Sequence, residues 1–120
     1  MAEETATEPE IPPERAAELV EAGDAELIDV RSPYEWEAGR IEGARHIEVN
    51  ELTGAAESIS RDGTVIFYCR SGSRSALAAA AFRQAGWDAY NLAGGLRAWA
   101  AHGLQLDPPD GEVAEREPGT

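Results

Sequence analysis

The stretch Val65-Ile66-Phe67-Tyr68-Cys69-Arg70-Ser71-Gly72-Ser73-Arg74-Ser75 decides the reading of this chain. A short apolar run ends in the only cysteine. A small loop containing Gly72 and bracketed by Arg70 and Arg74 follows, and then an alanine-rich segment, Ala76 to Phe82, that reads as a helix. Strand, cysteine, tight loop and helix together form a device for holding negative charge. Loop N–H groups and a helix N-terminus can converge on the sulfur. A thiol so placed has a lowered pKa and is a nucleophile near neutral pH. The ordinary fate of a lone cysteine is that of a small buried hydrophobe. An apolar core position, however, has no use for Ser71, Gly72 and Ser73 between two arginines.

Working outward, strand and helix signals alternate. Val65 to Cys69 is the clearest strand, and Ser75 to Ala85 the clearest helix, ended by Gly86. After them, 88–92 reads as a strand, Gly94-Gly95 as a tight loop, and Leu96 to Ala101 as a helix closed by Gly103. Before them, Ile11 either begins a strand or docks on the body. Pro12-Pro13-Glu14 starts a helix with its apolar stripe at Ala16, Ala17, Leu19 and Val20. Leu27 to Arg31 reads as a buried strand, and Tyr34 to Ala38 as a short helix capped by Ser32 and ended by Gly39. His46 to Val49 is a strand candidate, and Glu51 to about Ile59 a weak helix interrupted by Thr53-Gly54. This alternation predicts an α/β fold: a parallel sheet of about five strands with helices on both faces. In such sheets ligands sit beyond the C-terminal strand ends. Cys69 lies at one such end, and Asp29-Val30-Arg31 at another.

The chain of 120 residues suits one domain, expected over residues 11–104. Residues 1–10 and 105–120 are polar and acidic without periodicity, and are expected to be a disordered acidic arm and a disordered acidic tail. The net charge of −13 is concentrated there: residues 1–14 and 105–120 each hold five acids, with one base between them. The body is only mildly acidic, so neither nucleic acid nor an anionic membrane is an expected partner. A single cysteine excludes an internal disulfide and a cysteine-rich metal site. Met1-Ala2-Glu3-Glu4-Thr5 does not resemble a secretory signal, and no apolar run is long enough to span a bilayer, so a cytoplasmic protein is expected.

The count within the loop separates chemistries. A phosphate-transferring cysteine loop of the protein tyrosine phosphatase type needs five residues between cysteine and arginine. Here Ser75 stands at that arginine's place and the arginine is Arg74. The shorter loop makes a smaller cradle, suited to one sulfur atom rather than to a tetrahedral phosphate.

Three motifs together give a resemblance. They are Asp29-Val30-Arg31 with Glu35, Gly39, Ile41 and Gly43-Ala44; the loop Cys69 to Ser75; and Asn91-Leu92-Ala93-Gly94-Gly95-Leu96 with Trp99 and Gly103. In order and spacing they resemble a single-domain rhodanese, a thiosulfate sulfurtransferase. One departure is Arg40, where many rhodaneses carry histidine. The resemblance implies that Cys69 takes sulfur from a small anionic donor such as thiosulfate, becomes a persulfide, and passes the sulfur to a thiophilic acceptor, cyanide in the test tube. It implies no metal and no organic cofactor. Arg70, Ser71, Gly72, Ser73 and Arg74 would bind the donor and the anionic persulfide. Arg74 has two readings: it holds substrate, or it turns inward and ties the loop down. Asp29 and Arg31 would support the loop as an ion pair. Glu35 reads as a surface partner of Arg31 or Arg40. His46 and His102 have no spacing that links them to Cys69, and Trp36, Trp87 and Trp99 read as packing the core or covering its edges. Two other classes stay open: a module that carries persulfide to or from a protein partner, or merely docks, and a phosphatase or arsenate reductase of related fold.

Overall fold

The computed structural model describes residues 9–115. Its frame is five strands: β1 Glu10–Ile11, β2 Ala25–Asp29, β3 Arg45–His46, β4 Thr64–Tyr68 and β5 Asp88–Leu92. They form one sheet in the order β1-β5-β4-β2-β3, and every pairing is parallel. Parallel neighbours need crossovers, and helices supply most of them: α1 Pro13–Glu21, α2 Pro33–Ala38, α3 Leu52–Ala55, α4 Ser73–Gln84 and α5 Gly95–Ala101.

Side chains alternate across the pleat, so the sheet has two cores. On one face Ile28, Val65, Phe67 and Ala89 meet Leu52 of α3 and Ala78, Ala79 and Phe82 of α4. On the other, Leu27, Ile66, Tyr68 and Leu92 meet Ala16 of α1 and Leu96 and Trp99 of α5. The alanines of α4 let that helix lie close to the strands. Phe82 fills the remaining gap between Phe67 and Trp87, with ring centroids 4.9 and 4.8 Å away.

This parity places the chemistry. Cys69 follows β4 directly, on the α4 side with Val65 and Phe67. Asn91 shares the pleat face of Ala89 on the neighbouring strand, where it is paired in register with Phe67. The α4 helix begins at Ser73, two residues earlier than the sequence pattern suggests, so part of the loop is the helix's first turn.

Three expectations need correction. The strand predicted at 46–49 is only Arg45–His46, because the chain turns into a 3-10 segment at Val49–Glu51. The helix predicted from 51 to 59 is a single turn, α3, between two 3-10 turns, as the weak Thr53-Gly54 pair allows. Glu10 and residues 105–115 are also ordered against the body rather than parts of a disordered arm and tail. Glu10 joins β1 and pairs with β5, whereas residues 1–8 lie outside the described part. Residues 105–115 are not a free tail. Arg40 and Asp107 exchange backbone hydrogen bonds of 3.1 and 2.7 Å, and Glu112 N–H donates to the Ala38 carbonyl at 2.8 Å. Leu104, Leu106 and Val113 pack on the α1/α5 core. A Cβ on Gly39 would lie 2.4 Å from the Glu112 carbonyl oxygen, so the missing side chain is what admits this segment. Residues 116–120 lie outside the described part.

Candidate active site

Cys69 is fully buried. Its Sγ accepts hydrogen bonds from the Gly72 N–H at 3.1 Å, the Ser75 N–H at 3.5 Å and the Ser75 hydroxyl at 3.3 Å. Burial pushes the thiol pKa up. The Ser75 hydroxyl, the Ser75 and Gly72 amides and the Arg74 guanidinium outweigh it, and hold the thiol below its ordinary value. The Gly72 and Ser75 amides are held in place by the backbone, so they need not reorganise when the charge forms.

Two glycines make this geometry possible. Gly72 caps α4 with φ +109°, the left-handed region, and this turn directs its N–H at the sulfur. Gly95 holds the loop from behind. At the start of α5, Leu96 N–H donates to the Cys69 carbonyl at 2.8 Å and Arg97 N–H to the Arg70 carbonyl at 3.0 Å. The carbonyls that would repel an anion are thereby engaged at another helix end. A Cβ on Gly95 would lie 2.6 Å from both carbonyl oxygens, so only glycine fits.

The expected loop residues fall into two groups. Gly72 and Arg74 belong to the inner wall. Arg74 makes a bidentate pair with Glu35, Nη1–Oε1 at 2.9 Å and Nη2–Oε2 at 3.0 Å. Ser71 and Ser73 are exposed on the rim, and neither backbone amide bonds to Sγ. Arg70 also lies at the rim; among the described residues it pairs with the Glu115 carboxylate, at 3.8 Å, and its Nε is buried without a partner. Ser75, read in the sequence as the start of the helix and as the residue that breaks the phosphatase spacing, touches the sulfur directly.

Glu35 is the main surprise. It is 1% exposed, not on the surface, and it reaches Arg74, not Arg31 or Arg40. Ser32 holds it as a capping box, with Ser32 N–H at 3.3 Å and Ser32 hydroxyl at 3.2 Å from Oε1. Burial pushes the Glu35 carboxyl up, but the Arg74 bonds and charge, helped by Ser32 and Arg31, bring it below the usual glutamate value. The link spans 39 positions, so no local pattern could reveal it.

Asp29 and Arg31 form the expected pair at the end of β2, and both are fully buried. Arg31 Nε and Nη2 grip the Asp29 carboxylate, at 2.9 and 2.6 Å, and Nη2 also donates to the Gly39 carbonyl at 2.7 Å. His46 Nε2 donates to the Arg31 carbonyl at 2.7 Å, which fixes its tautomer, and its ring stacks on Trp36 with centroids 4.8 Å apart. His102 pairs with Glu14 at the surface. Neither histidine bonds to Cys69. Trp87 and Trp99 are buried in the two cores.

A cavity of about 560 Å³ lies between α2 and residues 108–115, lined by Tyr34, Ala38, Asp110, Glu112 and Val113 among others. Among the described residues its lining holds no cation and no nucleophilic thiol. Among the described residues no group of three or more His, Cys, Asp or Glu side chains is arranged to hold a metal ion.

Against known proteins, residues 12–102 match the rhodanese-like domain family. A sulfurtransferase of Allochromatium vinosum is 38% identical over 94 residues, covering 78% of this chain and 88% of that protein. A thiosulfate sulfurtransferase GlpE of Pseudomonas paraeruginosa is 34% identical over 108 residues, covering 89% and 94%. Among solved structures, a rhodanese-related protein of Thermoplasma volcanium superimposes with a TM-score of 0.76 at 26% identity, covering 82% of this chain and 96% of that one. A Rhodopseudomonas palustris protein of unknown function, described as a possible tyrosine phosphatase, does so with a TM-score of 0.70 at 26% identity, covering 88% and 84%.

Proposed function

Since the chain belongs to the rhodanese-like family, we propose that it is a sulfurtransferase working through a persulfide on Cys69, with thiosulfate or a similar small anion as donor. Cys69 thiolate attacks the outer sulfur of thiosulfate. The donor's S–S bond breaks, sulfite leaves with the bonding electron pair, and the negative charge ends on the outer sulfur of the new persulfide. Cyanide then attacks that sulfur, thiocyanate leaves, and the thiolate returns. This is covalent catalysis by double displacement.

The roles follow from position. Gly72 and Ser75 donors stabilise the attacking and leaving thiolate. The rim amides that do not reach Sγ, those of Ser71 and Ser73 among them, are left for the outer sulfur. Arg70 is the cation that meets the donor. Arg74 braces, since Glu35 already takes both faces of its fork. Asp29 and Arg31 keep the end of β2 rigid behind it. A single unpaired thiol fits a reducing, cytoplasmic setting. Among the described residues no helix is long and apolar enough to cross a membrane.

The observation that carries this reading is the convergence of three donors on a buried Sγ within a loop whose arginine is withdrawn into an ion pair. A phosphoryl group needs that arginine free for two of its oxygens. The test is mass spectrometry after incubation with thiosulfate. A one-sulfur adduct on Cys69, removed by cyanide and absent in Cys69→Ser, is the expected result. Cys69-dependent turnover of an aryl phosphate without any adduct would overturn the reading. A protein that ignores thiosulfate yet takes sulfur from a cysteine desulfurase would instead be a carrier with a protein partner.

A further inference from the structure

Asn91 belongs to none of the roles assigned above, yet it is 1% exposed and bonded on every side. Its Nδ2 donates to the Gly72 carbonyl at 3.2 Å and to Glu10 Oε2 at 3.0 Å. Both partners can only accept, so the amide cannot be turned round. Oδ1 therefore faces the Ser75 hydroxyl, 2.6 Å from Oγ. The same Oγ lies 3.3 Å from Cys69 Sγ. A hydroxyl has one hydrogen, and two acceptors claim it.

We propose that Asn91 is a positioning residue that competes with Cys69 for the single hydrogen of Ser75. When Sγ is neutral, as thiol or as the inner sulfur of a persulfide, the Ser75 hydrogen lies on Asn91 Oδ1. When Sγ is the thiolate, the hydrogen turns to the sulfur, and Oδ1 is left facing a lone pair in a buried place. An unmade hydrogen bond there is unfavourable. Asn91 thus opposes ionisation of Cys69 and favours the states in which its sulfur is neutral. That has two consequences for the reaction proposed above, on which they rest. The thiolate keeps more basicity, and so more intrinsic nucleophilicity, than three undivided donors would leave it. Loading also gains, because moving the charge from Sγ to the outer sulfur returns the hydrogen to Asn91.

Other charged groups surround this centre. Arg74 with Glu35 stands on α4 and α2, and the Asp29–Arg31 pair at the end of β2. Arg70 lies in the loop with Glu115 near it, and Glu10 on β1 lies behind Asn91. Among the described residues the Ser75 hydroxyl bonds to none of them, only to Cys69 Sγ and Asn91 Oδ1, which is what makes the competition separable from the general field.

The test is the titration of Cys69, followed by ultraviolet thiolate absorbance and by alkylation rate. Cys69 is the only cysteine, so the signal has one source. Asn91→Ala should lower the Cys69 pKa by about 0.5–1 pH unit relative to the same substitution made in a Ser75→Ala background. Comparing the two backgrounds removes any effect that reaches the sulfur through the loosened Gly72 carbonyl. An equal shift in both backgrounds, or a higher pKa in the Ser75-containing one, would overturn the proposal. A second measurement needs no change at Asn91. The 13C shift of its side-chain carbonyl should follow the Cys69 titration in the native chain and stop following it in Ser75→Ala. A carbonyl signal indifferent to the thiol in the native chain would likewise overturn it. Neither readout requires sulfur transfer, so this inference and the proposed function can fail separately.

Discussion

Arg70 and Arg74 stand four positions apart in one loop and belong to two different regions. Arg74 is on the inner wall, bound edge to edge to a carboxylate that is 1% exposed. Arg70 is on the rim, with a buried Nε that no described residue accepts from and a carboxylate 3.8 Å away that is itself 89% exposed. The contrast teaches that charge near a nucleophile does two jobs. A cation that has found a buried partner fixes shape and lends its field. A cation without one is what an incoming anion can use. The inner wall is therefore expected to answer mutation with lost stability, and the rim with lost affinity.

The comparison breaks most easily at the inner wall. Arg74→Ala leaves the buried Glu35 hydrogen-bonded to Ser32 alone, with only the more distant charge of Arg31 to offset its own, and breaking a buried pair from one side is strongly unfavourable. Discounted for the partial exposure of Arg74, the cost is about 2–3 kcal/mol. Calorimetry should show Tm falling by roughly 8–15 °C, together with a higher Cys69 pKa. An unchanged Tm would mean that the pair is not a brace. The pair also has a pH signature. The folded Glu35 pKa lies below its unfolded value, so its stabilisation is complete above the ordinary glutamate range and is lost as pH falls through the folded value. Denaturant melts of the native chain should weaken below that range, and Glu35→Gln should flatten this part of the profile.

The rim should behave otherwise. Arg70→Ala is expected to raise KM for thiosulfate about tenfold, equivalent to one charge-assisted contact, while the unfolding free energy stays within about 0.5 kcal/mol of native. A large loss of Tm, or of kcat at unchanged KM, would erase the distinction between the two arginines. The smallest effect is expected at Glu115→Gln. Removing the carboxylate near Arg70 should lower KM for an anionic donor by about twofold or less at low ionic strength, and the gain should vanish in salt. A change that persisted in high salt would show that Glu115 acts through shape rather than charge.

What could be read beforehand was what is local. The strand, loop and helix around Cys69 lie in one continuous stretch, and the alternation of apolar runs with turn residues gave the parallel sheet. Glu35 was misjudged because its partner sits 39 positions away and a two-turn helix shows no face from its spacing alone. Arg74 had two readings for the same reason. The segment 105–115 has the composition of a solvated tail, with Pro108-Pro109 and four of the five acids of residues 105–120. Leu106 and Val113 are too few to form a pattern, and what admits them is the bare backbone of Gly39 far up the chain. Asn91 reads from the sequence as a strand residue that opens the Asn91-Leu92-Ala93-Gly94-Gly95-Leu96 motif, with no role of its own, because strand spacing tells which face a side chain takes but not what waits there.

The cradle around Cys69 takes most of its donors from the main chain, and only Ser75 contributes a side chain. Ser71 and Ser73 spread their side chains on the rim without a structural duty. The part of the site that does chemistry and the part that meets the outside are thus written in different alphabets, one in backbone geometry and one in side-chain identity. In the proposed reaction, replacing Ser71 and Ser73 would change what the rim presents beside Arg70, while the Gly72 and Ser75 donors to the sulfur stay in place.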